Sequence, residues 1–244
     1  MGVTLLESTN QTETRLTPIA QIINSSTSTI IQALNTDELN QKREQYRKEQ
    51  EEHRKQLHLQ EVHRLLTKSA MPSRYINKNT SDYIITNTNK QALNALNNSA
   101  NSFYIYGDCG SGKTFLSCLI AKESILNNPA PVLFFTATNL IYVLNPYKSN
   151  LVEEDKQHQY SRHQIYNCGV LIIDDLGVEN SNSFNQSILF DIINHRYNED
   201  LQTIFTSNFT IIDLQRRLNS YEGGRIGRRI TEMCKPIFLK PFLK

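Results

Sequence analysis

Apolar residues recur in two different rhythms along this chain, and the change falls near residue 100. Beyond it, short apolar runs flanked by polar residues occur at Phe103–Tyr106, Val132–Phe135, Val170–Ile173, Thr203–Thr206 and Ile237–Leu239. Runs of about four residues are too short for a helix and right for a buried strand. Longer segments with helical spacing lie between them, at Lys113–Asn127, Asn139–Leu144, Gln186–Tyr197 and Ile212–Leu218. Strands that alternate with helices predict an α/β fold: a parallel sheet of five strands, flanked by helices, with right-handed crossovers.

Upstream the rhythm is different. Thr36-Asp37-Glu38 reads as a helix start, with Thr36 as the cap and acids in the first turn. From there to about Lys68 there is no Gly or Pro, and Glu38–Lys42, Glu44–Lys48 and Glu51–Lys55 set opposite charges four residues apart. Each such pair supports a helix by a few tenths of a kcal/mol. The first half of the segment has almost no apolar face, whereas Leu57, Leu59, Val62, Leu65 and Leu66 give the second half one. Two readings fit, a solvated helical arm and a partner-binding helix. Residues 1–35 hold 11 Ser/Thr and read as partly ordered at best, with one short helix. Pro72 ends the arm, Met71–Tyr75 reads as a linker, and Gln91–Asn97 as a short helix. His53, His58 and His63 are five apart, about 140° per step around a helix, so they scatter rather than converge on a metal.

Composition narrows the function. The chain has 244 residues, 26 basic and 24 acidic side chains and a net charge of +2, which excludes a histone-like binder. Any nucleic-acid contact must use local basic patches. The length suits one large domain, or a smaller one with an appendage. No apolar stretch is long enough to span a membrane, the start MGVTLLESTN is not a secretory signal, and Leu6 stands where a myristoylation signal needs Ser or Thr. Cys109, Cys118, Cys168 and Cys234 form no CxxC pair, as expected of reduced thiols in a cytoplasmic protein.

The strongest chemical signal is Gly107-Asp108-Cys109-Gly110-Ser111-Gly112-Lys113-Thr114, which fits GxxxxGK[ST] between a strand and a helix. Glycines let successive backbone N–H groups point at phosphate oxygens, and the helix N-terminus adds partial positive charge. Lys113 is expected to reach the β- and γ-phosphates of ATP, and Thr114 to offer its hydroxyl to Mg2+. The second signal is the apolar run Val170–Ile173 ending in Asp174-Asp175. It delivers carboxylates at the C-terminal end of a strand, where ligands bind in open α/β sheets. Asp174 is expected to serve Mg2+, and Asp175 to orient or activate the attacking water. Third, Asn208 follows the next strand and is placed to bond that water or the γ-phosphate. Fourth, residues 216–244 hold eight Lys/Arg against two acids. Arg225 and Arg229 share a helix face, read either as fingers on a neighbouring subunit's phosphates or as a solvated or DNA-facing helix.

In this order the motifs resemble those of the AAA+ ATPases, and within them the DnaC/DnaI-type helicase loaders and their IstB-like relatives. The residues that carry it are AMPSRY (70–75), YGDCGSGKT (106–114), LIIDDLGVE (171–179), NHRY (194–197), TIFTSNF (203–209) and GGRIGRRITEM (223–233). They span about 65–239. The resemblance implies that Asn208 is sensor 1, Arg229 the arginine finger acting in trans, Arg225 its companion, and Arg196 a further inter-subunit contact. It also implies ATP-controlled binding of single-stranded DNA, loading of a hexameric replicative DNA helicase gripped by the N-terminal region, and homo-oligomers or self-assembly on DNA. Asp175 stands where many AAA+ proteins have Glu, so slow turnover is expected. The chain stops five residues after Leu239, so a C-terminal lid, its second sensor arginine and a DnaA-type DNA-binding domain are expected to be absent. Residues 1–100 contain no Cys, which excludes an N-terminal Cys-type zinc module.

The expected organisation is an N-terminal helical partner-binding region over 1–68, a linker over 69–100 and an AAA+ ATPase domain over 101–244. The expected DNA surface is the polar stretch between Pro146 and Asn167, with Lys148, Lys156, Arg162, His163, Tyr147 and Tyr160, joined by the basic C-terminal helix. An IstB-like transposition helper ATPase shares the core and is the main alternative, and a P-loop small-molecule kinase the more distant one.

Overall fold

The computed structural model describes residues 18–84, 90–147, 160–178, 182–218 and 220–241. The chain divides into two compact units, Met1–Gln56 and Leu57–Lys244. Helix α1 (Pro18–Thr67) runs through the described part of the first unit into the second. It starts at Pro18, where a proline's missing N–H costs nothing. The expected start at Thr36 is overturned: its hydroxyl donates inside the helix to the Gln32 carbonyl at 2.7 Å instead of capping. Up to Gln56 every described side chain is exposed, and Glu44–Lys48 (3.2 Å) and Glu51–Lys55 (2.8 Å) pair along the surface.

From Leu57 the helix has a buried face. Val62, Leu65 and Leu66 enter a hydrophobic core, and the His58 ring meets the Leu126 carbonyl at 2.8 Å. Residues 69–76 are packed rather than a free linker. Met71 is buried, α2 (Ser73–Ile76) makes one turn, and the Tyr75 ring stacks on Phe115 at 5.3 Å. Lys122 Nζ donates to the Ile76 and Lys78 carbonyls and to Asn79 Oδ1. A helix α3 (Lys90–Asn97) precedes the first strand.

Five strands follow: β1 (Phe103–Gly107), β2 (Val132–Thr136), β3 (Val170–Asp174), β4 (Gln202–Ser207) and β5 (Lys235–Leu239). They form one sheet in the order β2-β3-β4-β1-β5 with every pairing parallel. The helices are α4 (Lys113–Asn127), α5 (Ala137–Leu144), α6 (Arg162–Asn167), α7 (Ser183–Asn198), α8 (Ile211–Leu218) and α9 (Tyr221–Met233). The strands read as continuous apolar runs because both faces of the sheet are covered. Phe103, Ile105, Val132, Phe134, Val170, Ile172 and Ile204 point to the side of α4 and the end of α1. Tyr104, Leu133, Phe135, Leu171, Ile173 and Phe205 point to the side of α5, α7 and α9. The short helix α6 was not expected from the sequence. A reciprocal cap starts it: Ser161 Oγ accepts from the Gln164 N–H and Gln164 Oε1 from the Ser161 N–H.

Candidate nucleotide site and arginine face

The strand order sets the site. β4 lies between β1 and β3, so the ends of all three meet at the same rim of the sheet. The loop from Gly107 to Gly112 leaves β1 and enters α4 through Gly112, whose φ of 85° is left-handed. Gly107 has no room for a side chain, since a Cβ there would sit 2.0 Å from the Leu239 carbonyl oxygen on β5. Asp108, Cys109 and Gly110 are exposed, and Ser111 and Lys113 are buried. Lys113 Nζ donates to the carbonyls of Gly107 (2.9 Å) and Asp108 (2.8 Å). Burial lowers its pKa, against the pull of Cys109, Asp175 and Asp174 nearby.

Thr114 and Asp174 are 60 residues apart and in contact. The Thr114 hydroxyl lies 2.9 and 3.1 Å from the two carboxylate oxygens. Thr206, one strand over, donates to Asp174 Oδ1 at 2.5 Å and accepts from the Asp175 N–H at 2.9 Å. One hydroxyl therefore fixes both members of the acidic pair. The sequence reading passed over Thr206, whose signal is its place on the strand beside Asp174. Burial raises the Asp174 pKa, and the Thr206 hydrogen bond partly offsets this. Asp175 is exposed and left-handed, with φ 56°, a conformation Asp tolerates better than most residues. Asn208, half-buried past the end of β4, has its Oδ1 3.9 Å from Cys109 Sγ and so faces the loop.

The donor set fits a magnesium nucleotide. Ser111 Oγ is buried inside the loop with no hydrogen-bond partner among the described residues. Lys113 spends its donors on the loop's own carbonyls, and the Thr114 hydroxyl and Asp174 carboxylate are oxygen ligands of the kind Mg2+ takes beside phosphate and water. Among the described residues no group of three His, Cys, Asp or Glu side chains forms a metal site from protein alone.

The arginines of α9 lie on a separate face against α7. Phe190, Asn194 and Tyr197 form a stripe on α7, and Arg225, Arg229 and Glu232 one on α9. Arg225 Cζ lies 3.7 Å from the Phe190 ring centroid and 5.4 Å from that of Tyr221. Arg229 bonds Asn194 and Glu232 and lies 4.3 Å over Tyr197. Tyr221, Arg225, Arg228 and Arg229 line a cavity of about 220 Å³.

Arg196 overturns the expectation of an inter-subunit contact. It is fully buried, donating to Thr203 Oγ1 (2.9 Å) and the carbonyls of Tyr166 (3.0 Å), Cys168 (3.0 Å) and Gln202 (2.5 Å). It ties α7 to the starts of β3 and β4, and burial lowers its pKa. The expected DNA surface is also thinner than read. Arg162 pairs with Asp191 at 3.0 Å, and Tyr160 packs edge-on against Phe135 and donates to the Lys68 carbonyl. Tyr147 is 78% exposed and keeps a face for stacking. Lys148 and Lys156 lie outside the described residues.

Comparison with known proteins places this geometry. Replicative helicase loader DnaI of Bacillus subtilis (strain 168) is 26% identical over 145 residues, 56% of this chain and 45% of that protein. This chain therefore spans less than half the length of that relative. A crystal structure of DnaI superposes with a TM-score of 0.58 at 25% identity, over 70% of this chain and 95% of that one. A crystal structure of the DnaC helicase loader gives 0.58 at 24% identity, over 69% and 100%, a likeness of fold. The family described as IstB-like ATP binding protein matches residues 17–221. That match covers most of the chain, including the whole phosphate loop, both acids and Asn208, and the chain accordingly belongs to the IstB-like ATP-binding proteins, built on the AAA+ P-loop fold of DnaI and DnaC.

Proposed function

We propose that the protein is a Mg2+-dependent ATPase of DNA replication, which loads a hexameric replicative helicase onto single-stranded DNA and uses ATP binding and slow hydrolysis as its switch. The observation that carries the nucleotide chemistry is the contact of Thr114 with Asp174, beside a loop whose lysine has its charge turned inward. In this reading Gly107–Thr114 wrap the phosphates and Lys113 turns from the loop carbonyls to the β- and γ-oxygens. Thr114 and Asp174 would hold Mg2+, which when bound neutralises phosphate charge. Asp175 accepts a proton from, or orients, the attacking water, and its fixed backbone aims its carboxylate. Asn208 bonds the same water or the γ-phosphate. Arg229, with Arg225, acts on the nucleotide of a neighbouring copy.

The helicase and DNA roles rest on the likeness to DnaI and on surface chemistry. Of the expected 1–68 arm, the exposed part of α1 before Leu57 supplies the partner-binding helix, while Val62, Leu65, Leu66 and, from the expected linker over 69–100, Met71, Ala92 and Leu96 share the core of the ATPase over 101–244. Tyr147, exposed and able to stack on a base, is the DNA-facing group. The decisive measurements are calorimetry with Mg-ATP and hydrolysis with and without single-stranded DNA. Binding of ATP is expected, with hydrolysis changed by DNA. A chain that ignores Mg-ATP sinks the reading. The IstB-like family match favours one alternative, a transposition helper ATPase with the same core. Retention of a replicative helicase by the full chain, lost when residues 1–56 are removed, supports the loader. Retention of a transposase instead supports the helper.

A further inference from the structure

Arg229 is held on three sides in a way its surface position does not require. Its Nε donates to Asn194 Oδ1 at 3.0 Å and its Nη1 to Glu232 Oε2 at 2.9 Å, while the guanidinium lies 4.3 Å over the Tyr197 ring. Glu232 is shared, its other oxygen accepting from Arg228 Nε at 2.9 Å. Each carboxylate oxygen thus has one arginine, and those two hydrogen bonds pull the Glu232 pKa down to about 2, so the anchor stays charged at any working pH. A guanidinium has five N–H donors, and two are used here. The remaining three, both on Nη2 and one on Nη1, have no hydrogen-bond partner among the described residues and are free for an oxyanion.

Fold stability does not explain the arrangement. α7 and α9 are joined by Ile192, Ile193, Ile226 and Ile230, all fully buried. The Arg228 and Glu232 side chains are 76% and 32% exposed and that of Arg229 28%, and solvent-accessible pairs of this kind add little beside that core. What the contacts do is remove the rotamer freedom of a long side chain before it meets its target.

We propose that Asn194, Tyr197 and Glu232 are positioning residues that hold Arg229 preformed for the triphosphate of a second copy of this chain. This rests on the reading of Arg229 as a group acting in trans. Asn194 holds the guanidinium at Nε and Glu232 at Nη1, and Tyr197 supports its face. Arg229, with its free donors, lines the cavity together with Tyr221, Arg225 and Arg228. None of the three touches nucleotide. Their effect reaches the phosphate through Arg229 alone, so it belongs to the turnover step and not to ATP binding.

The test mixes two full-length chains in the presence of single-stranded DNA. A Lys113→Ala chain supplies Arg229 but no nucleotide site. An Arg229→Ala chain supplies the nucleotide site but no finger. Each alone is expected to be inactive and the mixture active. Glu232→Ala or Asn194→Ala carried by the chain that supplies Arg229 is expected to lower kcat of the mixture about tenfold with KM for ATP unchanged. Glu232→Gln, which keeps the acceptor oxygen, restores most of the loss. An inactive mixture overturns the trans reading itself, and this inference with it. An active mixture that Glu232→Ala and Asn194→Ala leave at parental kcat overturns the positioning role alone. So does a loss of equal size from either chain, which marks a structural role.

Discussion

The interior polar groups of this protein and the polar face of α9 solve the same problem in opposite ways. In the interior, Arg196 and the Thr114–Asp174–Thr206 chain find their partners within one polypeptide. On α9, Arg229 has two hydrogen bonds and three spare donors, and Arg225 sits on rings rather than on a carboxylate. Arg196 belongs to α7 and Arg229 packs against it, and the two differ in what remains unspent. A buried arginine with every neighbour engaged is a bolt. A half-engaged one beside a cavity keeps donors to offer, as the proposed trans role of Arg229 requires. Residue type alone does not separate the two roles, and the count of unused donors does.

The largest expected effect tests the bolt. Arg196→Met removes the cation and leaves the Tyr166 and Cys168 carbonyls and the Thr203 hydroxyl without their donor, so it is expected to cost about 3–5 kcal/mol. Urea unfolding measures this, and Mg-ATP affinity per folded molecule should be unchanged. A variant as stable as the parent erases the contrast with α9. The next effect tests the cradle. Lys113→Ala is expected to weaken ATP binding at least about 100-fold, roughly 3 kcal/mol, by removing charged hydrogen bonds to phosphate. Calorimetry reads it, and binding within about threefold of the parent contradicts the assignment.

What the sequence made legible was whatever is local or repeats. β1, β2 and β3 were readable because burial on both faces leaves an apolar run at each, whereas β4 carries buried threonines and the edge strand β5 alternates exposed and buried residues. The phosphate loop was readable because its chemistry lies in eight consecutive residues. Thr114 and Asp174 could be paired because each closes a recognisable strand-to-loop or loop-to-helix pattern. The relay through Thr206 was not visible, since it depends on β4 lying between β1 and β3, which no local pattern encodes. Arg196 was misread for the same reason: a helical arginine shows no sign in sequence that four oxygens from other elements surround it. The start of α1 was missed because a helix with exposed side chains carries no apolar period to read.

The smallest effect is the sharpest for the site, because its sign is opposite to the usual one for a core substitution. Burial raises the pKa of Asp174 above its ordinary 3.8. A raised acid favours folding fully only below that ordinary value, and its contribution is lost as pH rises through the folded value. At neutral pH the ionised carboxylate therefore weighs against the fold, a cost that the proposed Mg2+ would offset. Asp174→Asn removes the charge while its side-chain oxygen can still accept from Thr114 and Thr206. It is expected to stabilise the nucleotide-free protein by about 1 kcal/mol at pH 7. The gain should shrink as pH falls toward 3.8, because the parent Asp174 takes up its proton above that value. Urea midpoints at the two pH values measure the difference, and the same variant should lose Mg2+-dependent ATP binding. A destabilised Asn variant at pH 7 would mean that Thr114 and Thr206 already repay the buried charge, and that Asp174 belongs with Arg196 among the groups the fold has satisfied by itself.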